Sequence, residues 1–210
     1  MAKYKNGIMG AFNGTIGPVV GYEWKGRSCM RSLGMVHNPR TERQQANRAL
    51  FSATSKLAAQ MKEATAIGLH GVAVEAKNSE KNIFVSLNRH CVSLAEETIT
   101  VDYPQLLVAQ GELPSVQFGS PHLTEGRQVR VDFQPGCQPE ASASDYVYLY
   151  AFAPTLNRGC LSIPARRRDR HITESLPARW EGHTIHLYGF TWDHKLSASN
   201  STYLGTLFLS

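Results

Sequence analysis

Charged side chains are scarce in this sequence. Asp, Glu, Lys and Arg make up 19% of its 210 residues, below the quarter that is usual for globular proteins. This shortage excludes a long coiled coil and a heavily charged solvating chain, because both need many more charged residues. Hydrophobic residues reach 42%, which is enough for a packed core and excludes a chain that is disordered throughout. The length suits one large domain or two small ones.

Long apolar runs are also missing. No segment approaches the 18 consecutive apolar residues of a membrane-spanning helix. Residues 1–7 carry charge with no apolar run behind them, so no secretory signal peptide is expected. We therefore expect a cytoplasmic protein without a membrane partner.

Cysteine is sparse and widely spaced. The sequence holds Cys29, Cys91, Cys137 and Cys160, at intervals of 23 to 62 residues. Metal knuckles and redox loops use closely spaced cysteine pairs. The spacing therefore predicts thiols that are buried as small hydrophobic groups in a reduced compartment.

Catalytic and cofactor-binding motifs are missing as well. The sequence contains no G-x-S-x-G nucleophile elbow and no Gly-Lys-Ser/Thr phosphate loop. The side chains of His90 and Cys91 would point about 100° apart on a helix, so no catalytic dyad is expected. His183 and His186 would lie on opposite faces of a strand and could not hold one metal ion together. We expect a protein that is not an enzyme and that binds neither a cofactor nor a metal.

Positive charge is concentrated near the start of the sequence. Residues 1–70 contain ten Lys and Arg against three Glu, a net charge of +7. Residues 71–113 have a net charge of −3 and residues 114–210 a net charge of +1. The overall excess of five positive charges therefore belongs to the N-terminal third, and it permits an acidic partner without requiring one.

Glycine-rich sequence opens this basic third. Residues 6–34 combine seven glycines with strand-favouring residues, a pattern typical of short strands joined by tight turns. Asn13-Gly14 predicts one two-residue hairpin turn, and Trp24-Lys25-Gly26-Arg27 predicts a second.

A helical pattern follows the glycine-rich segment. Thr41 and Gln44 have the spacing of a capping box, and apolar residues then recur every three or four positions. The pattern predicts a helix over residues 41–66 that Gly68 ends. Ser79 is predicted to start a second helix, and residues 99–110 are predicted to be extended.

After Pro114 the hydrophobic pattern changes to the period of two that is typical of strands. Candidate strands cover residues 116–118, 129–133, 146–152, 159–164, 170–174, 185–188 and 203–209. Short strands at this spacing favour an immunoglobulin- or fibronectin-like antiparallel β-sandwich of about seven strands, with Trp180 filling its end. The predicted fold class is therefore α+β. An N-terminal β-hairpin plus helical module spans residues 1–113, and the β-sandwich domain spans residues 114–210.

Two groups of residues are candidates for contacting a partner. The first is the second predicted hairpin with its two aromatic residues, and the second is the basic cluster at residues 166–170. In a loop between two strands, the adjacent side chains of this cluster are expected to extend into water. The partner-binding candidates are Tyr22, Trp24, Lys25, Arg27, Arg31, Arg166, Arg167, Arg168 and Arg170.

Several motifs carry a resemblance to a known family. They are Gly17-Pro18-Val19-Val20-Gly21, Trp24-Lys25-Gly26, Asn38-Pro39-Arg40-Thr41, Gly111-Glu112-Leu113-Pro114 and the Leu-Pro…Trp-x-Gly stretch at 176–182. Together they resemble a domain-of-unknown-function family found mainly in Bacteroidota, over nearly the whole chain. This resemblance implies no activity, cofactor or catalytic residue. The run from Asn38 to Arg48 also resembles a segment of phage and prophage structural proteins, which implies a role in assembly.

These patterns favour a non-enzymatic binding or assembly protein whose partner is another protein or a second copy of the chain. A nucleic-acid-binding protein that uses the basic N-terminal module is the first alternative. A hydrolase of an acidic or glycan substrate, with convergent carboxylates in a pocket, is the second.

Overall fold

The computed structural model describes residues 3–4, 10–35, 38, 40–95, 98–124, 126–136 and 141–209. The chain divides into two compact units, Met1–Thr41 and Glu42–Ser210. Each unit is described separately below.

The first unit is an antiparallel sheet whose strands are neighbours in chain order. Its strands are β1 (Lys3–Tyr4), β2 (Phe12–Ile16), β3 (Val19–Trp24) and β4 (Arg27–Ser32). The N-terminal hairpin that the sequence predicts is therefore present.

One of the two predicted turns is confirmed and the other is wrong. Lys25 and Gly26 connect β3 to β4 with φ angles of 48° and 76°, the two positive values that a type I′ turn requires. Asn13 and Gly14, by contrast, lie inside β2. The turn after β2 is formed by Gly17, whose φ is 54°, and by Pro18. The proline ring holds the φ of Pro18 at about −65°, which suits the second central position of this turn. Gly14 has a φ of 119°, which is well outside the left-handed region that a type I′ turn uses.

The second unit begins with helices. These are α1 (Glu42–Gln60), α2 (Lys62–Gly68), α3 (His70–Glu75) and α4 (Glu80–Asn88). The helix predicted over residues 41–66 is confirmed, although it is divided at Met61. The second predicted helix is also confirmed, because the Ser79 hydroxyl accepts a hydrogen bond from the Asn82 N–H at 3.3 Å and caps α4. Helix α3 is too short to produce a recognisable 3.6-residue pattern.

Strands make up most of the rest of this unit. They are β5 (Val92–Ala95), β6 (Thr98–Val101), β7 (Gln117–Phe118), β8 (His122–Thr124), β9 (Gln128–Gln134), β10 (Tyr146–Ala153), β11 (Arg158–Leu161), β12 (Ala165–Arg166), β13 (His171–Ser175), β14 (Thr184–Trp192) and β15 (Thr202–Phe208). Single turns of 3-10 helix cover Arg89–Cys91, Tyr103–Gln105, Pro154–Leu156, Arg167–Asp169 and Ala178–Trp180. All seven strands that were predicted after Pro114 are therefore present.

The strands after Pro114 form two antiparallel sheets. The five-stranded sheet has the order β11-β10-β14-β15, with β12 also paired to β10. The four-stranded sheet has the order β13-β9-β7, with β8 also paired to β9. Strands β5 and β6 form a separate hairpin.

Strand β10 is covered on both faces, as its apolar sequence predicts. Val147 and Leu149 belong to a core that also contains Val131 of β9 and Ile172 of β13. The alternate residues of β10 belong to a second core with the helices. The members of this second core include Tyr148, Tyr150 and Phe152 from the strand, Leu57 and Phe84 from the helices, and Met61 between α1 and α2. The five-stranded sheet is therefore the middle layer of the second unit, between the helices and the four-stranded sheet.

The predicted division of the chain differs from these compact units. The boundary between residues 113 and 114 falls inside the second unit. Helices that precede this boundary and strands that follow it contribute to the same core.

Among the described helices, none combines the length and the apolar character that a membrane crossing requires.

The half-buried His186 predicts how the stability of this unit depends on pH. The His186 ring stacks on Tyr103 with ring centroids 4.3 Å apart, and its Nδ1 lies 2.9 Å from the Tyr203 hydroxyl. Burial lowers the pKa of His186 below its usual value of 6.5. The unfolded chain therefore binds the proton more readily than the folded chain does. We expect the free energy of unfolding to decrease as the pH falls below about 6.5.

Urea unfolding of the wild type and His186→Gln at several pH values between about 8 and 5 measures this effect, since that range covers the ordinary histidine titration. The variant should lose less stability than the wild type over this range. Parallel stability curves for the two proteins would show that His186 is not responsible.

Candidate interaction surface

The register of β3 and β4 brings the predicted hairpin candidates onto one face. Trp24 lies opposite Arg27, and Val20 lies opposite Arg31. Directly paired residues of an antiparallel sheet project to the same side, and so do alternate residues of one strand. We call the result the cationic–aromatic face. Its residues are Val20, Tyr22, Trp24, Arg27, Cys29 and Arg31.

The aromatic side chains of this face are accessible to solvent. Tyr22 is 41% exposed and Trp24 is 58% exposed. Lys25, in the turn, places its Nζ 4.9 Å from the centre of the Trp24 ring, a cation–π contact worth about 0.5–1 kcal/mol at an exposed site. Isolated exposed hydrophobic residues are common on proteins, so the informative feature is that two aromatic residues share a face with arginines.

The arginines of this face have no acidic partner in the part of the chain that the structure describes. Within the described residues, neither Arg27 nor Arg31 forms a salt bridge. Glu23, the one acidic residue of this unit, is paired with Ser28 and projects to the opposite face. Both guanidinium groups therefore remain available to an external anion.

The division into units also localises the charge more sharply than the sequence pattern does. Residues 1–41 contain six Lys and Arg against one Glu, a formal net charge of +5. Residues 42–210 contain sixteen basic and sixteen acidic residues. The whole formal excess of the chain therefore lies in the first unit.

The second group of candidates does not form one exposed basic patch. Arg167 is only 2% exposed, so the expectation that this side chain extends into water is wrong. Its Nε lies 3.3 Å from a carboxylate oxygen of Asp145, and its two terminal nitrogens donate to the carbonyl oxygens of Pro135 and Pro114. Burial lowers the pKa of Arg167, while Asp145 acts in the opposite direction. This arginine therefore holds chain segments together inside the second unit.

The neighbours of Arg167 differ from it and from each other. Arg166 is half-buried, stacks 3.9 Å above the Tyr146 ring and donates to the Ser144 carbonyl oxygen at 2.6 Å. Arg168 and Arg170 are exposed. The 3-10 turn at Arg167–Asp169 separates them, because it directs adjacent side chains to different sides. Only two of the four predicted arginines are therefore fully presented to solvent.

His90 and Cys91 come closer together than the sequence predicts. The Cys91 Sγ lies 3.4 Å from the His90 Nε2. The two residues occupy a 3-10 turn that leads directly into β5, so the expectation of divergent helical side chains is wrong. Cys91 is nevertheless buried, and desolvation followed by the charge of Asp102 raises the pKa of its thiol. A protonated, buried thiol is a poor nucleophile.

The other cysteines agree in part with the expected burial. Within the described residues Cys29, Cys91 and Cys160 are free thiols, with Cys91 buried and the other two half-buried. The Cys160 thiol donates to a Glu174 carboxylate oxygen at 3.4 Å. Burial, with the charge of Glu174, raises the pKa of Cys160 to about 12. Cys137 lies outside the described residues.

A cleft of about 620 Å³ in the second unit is the feature that a hydrolase would use. Its walls come from α3, from residues 110–112 and from residues 196–200, and they include Glu75 and Glu112. Both residues are exposed. Within the described part of the chain, no three His, Cys, Asp or Glu residues are placed to hold a metal ion.

Comparison with known proteins identifies one family. The model of a family of unknown function (DUF6266) matches residues 11–205. A search of curated proteins finds no match.

Proposed function

The chain belongs to this family of unknown function, and we propose that it is a non-enzymatic binding or assembly protein that contacts its partner through the cationic–aromatic face. This membership agrees with the expectation of a family of unknown function, and it supplies no activity. One observation carries the proposal. Two exposed aromatic side chains share a face with two arginines that form no salt bridge among the described residues, in the unit that holds the whole net positive charge of the chain.

The residue types on this face support a binding role. Trp, Tyr and Arg are the residues most enriched among those that dominate the energy of protein interfaces. They combine a large apolar area with a polar group, so they gain from contact and still satisfy their hydrogen bonds. The resemblance of the run from Asn38 to Arg48 to phage and prophage structural proteins also favours assembly.

A second candidate function is the binding of single-stranded nucleic acid. The row formed by Tyr22 and Trp24 lies beside the row formed by Arg27 and Arg31. Aromatic rings stack on bases, and arginines contact phosphates, in proteins that bind single strands. With Lys25, three phosphate contacts would reduce the affinity about 20-fold between ~50 and ~200 mM salt.

A photo-crosslinking experiment tests the proposed function. The full chain carries p-benzoylphenylalanine in place of Trp24 and is exposed to extract from the source organism. A matched variant carries the same group in place of Ile163, an exposed residue of the second unit. We expect a specific adduct from position 24, and the adduct identifies the partner. Equal labelling patterns from the two positions would contradict the proposal.

The affinity of the identified partner then provides a quantitative prediction. Truncating a central tryptophan of an interface costs at least about 2 kcal/mol, so Trp24→Ala should weaken binding about 30-fold. Ile163→Ala should leave the affinity unchanged. The chemical nature of the adduct distinguishes a protein partner from a nucleic acid, and a nucleic acid must in addition show the steep salt dependence above.

We also propose that the two facing sheets of the second unit are a variant of the immunoglobulin- or fibronectin-like sandwich. The order β7-β9-β13 corresponds to strands A, B and E of that fold, and the order β11-β10-β14-β15 corresponds to C′, C, F and G. The helices that cover the second of these sheets are a departure from the usual sandwich, in which that face is open.

A further inference from the structure

Strand β4 lies at the end of its sheet. Among the described residues it pairs with β3 on one side and with no strand on the other. Just beyond the strand, the Leu33 N–H donates to the Pro18 carbonyl oxygen at 2.6 Å. Hydrogen-bonded and non-hydrogen-bonded pairs alternate along an antiparallel ladder. Arg27, Cys29 and Arg31 therefore exchange their backbone hydrogen bonds with β3.

The alternate residues of β4 face the other way. Ser28, Met30 and Ser32 direct their N–H and C=O groups away from β3, and all three residues are exposed. An exposed row of unpaired backbone donors and acceptors is a template on which another strand can pair.

The side chains of β4 define what such a strand would have to carry. Arg27 and Arg31 project to the cationic–aromatic face, four residues apart. Met30 projects to the opposite face and is 73% exposed. Residues directly opposite in a sheet contact each other. An added strand would therefore place acidic side chains beside the arginines and an apolar side chain beside Met30.

We propose that the free edge of β4 binds an extended segment of a partner protein in which acidic and apolar residues alternate. This inference rests on the proposed function and adds to it the chemistry of the partner and the mode of binding, which is strand addition. Charge complementarity identifies the occupant, because the first unit has a net charge of +5 and its two β4 arginines have no acidic partner among the described residues.

Other occupants fit the edge less well. A nucleic acid would use the arginines and the aromatic rings, but it would leave the backbone groups of Ser28, Met30 and Ser32 and the apolar Met30 side chain without a partner. A second copy of β4 would bring its own arginines to the edge, and like charges opposed across a sheet are unfavourable. A protein segment of alternating acidic and apolar residues uses the arginines, the edge backbone groups and the Met30 side chain together.

A single substitution tests the backbone part of the proposal. Met30→Pro removes one N–H group from the free edge without removing a bond between β3 and β4, and prolines are tolerated on the outer side of edge strands. The matched control, Met30→Leu, keeps both the N–H group and the apolar side chain. The probe is a fluorescein-labelled synthetic peptide of alternating Glu and Val, and fluorescence anisotropy reports its binding to the full chain. We expect Met30→Pro to weaken binding about tenfold or more, and Met30→Leu to bind like the wild type.

A charge exchange tests the side-chain part and does not depend on the folding of the proline variant. The double variant Arg27→Glu, Arg31→Glu should lose the Glu–Val peptide and gain affinity for a peptide of alternating Lys and Val. The proposal is overturned if the wild type binds the Glu–Val peptide and neither Met30→Pro nor the charge exchange changes the affinity.

The outcomes separate this proposal from the function on which it rests. If the Glu–Val peptide does not bind the wild type but position 24 still crosslinks to a protein, strand addition at β4 is wrong and the proposed function stands. If an oligodeoxythymidine binds in place of the peptide, the partner is a nucleic acid and the strand proposal is wrong. If position 24 forms no specific adduct and no peptide binds, both proposals fail.

Discussion

Replacing Asp145 with alanine lowers the free energy of unfolding by about 3–5 kcal/mol, because it leaves a buried arginine without its counter-charge. The Asp145 carboxylate lies 3.3 Å from the Arg167 Nε, and both side chains are almost completely buried. The same carboxylate accepts a hydrogen bond from the Ser142 N–H at 2.9 Å. Urea unfolding followed by circular dichroism measures the loss.

Two further variants show whether the loss comes from the buried charge. Arg168→Ala removes an exposed guanidinium next in the sequence, so its stability should change by less than about 0.5 kcal/mol. The double variant Asp145→Leu, Arg167→Met replaces the pair with apolar groups of similar size and should recover a large part of the stability that Asp145→Ala loses. A loss from Asp145→Ala no larger than that from Arg168→Ala would contradict this account of the pair.

Replacing Trp180 with alanine should cost about 3–5 kcal/mol of unfolding free energy, because it opens a large cavity between the two sheets. Trp180 is 1% exposed and belongs to the core that Val131, Ile172 and Ile185 also form. This burial shows that Trp180 is a core residue, and its placement at the end of a sandwich stays a prediction. The same unfolding measurement gives the size of the effect.

The comparison with phenylalanine makes this prediction specific. The Trp180 indole N–H is buried, and among the described residues it has no hydrogen-bond partner. Trp180→Phe keeps most of the apolar volume and removes this unsatisfied donor, so it should cost much less than Trp180→Ala. Trp24→Ala is the exposed control and should change the stability by about 1 kcal/mol or less, the worth of its cation–π contact with Lys25, although it is the variant expected to lose the partner. Similar stability losses from Trp24→Ala and Trp180→Ala would contradict the assignment of their roles.

Patterns confined to neighbouring residues predicted much of the fold. The period of two after Pro114 marks every long strand of the second unit, and the type I′ turn at Lys25 and Gly26 follows from the residues themselves. The prediction of a turn at Asn13 and Gly14 is wrong because a dipeptide that suits a turn also fits inside a strand when the residues on either side of it pair with neighbouring strands. Helix α3 escapes detection because six residues hold fewer than two helical turns.

The candidate surface was predictable in part. Its aromatic and basic residues are visible in the sequence, and their common face follows from the register of β3 and β4, which the two-residue turn at Lys25 and Gly26 sets. The open edge of β4 depends on which strands of the described chain pair with it. Only this second property is not a function of nearby residues.

The sequence by itself determined where the net charge lies, which segments are extended or helical, and that one hairpin carries both aromatic residues and arginines, because these properties depend on residues close together in the chain. Only the tertiary structure decided that Arg167 is an internal residue while Arg168 is exposed, and that Cys91 is a buried thiol beside His90. The physical reason is that burial is set by distant segments. Arg167 is enclosed by the carbonyl groups of Pro114 and Pro135 and by the Asp145 carboxylate, and its neighbouring residues in the sequence carry no information about those contacts.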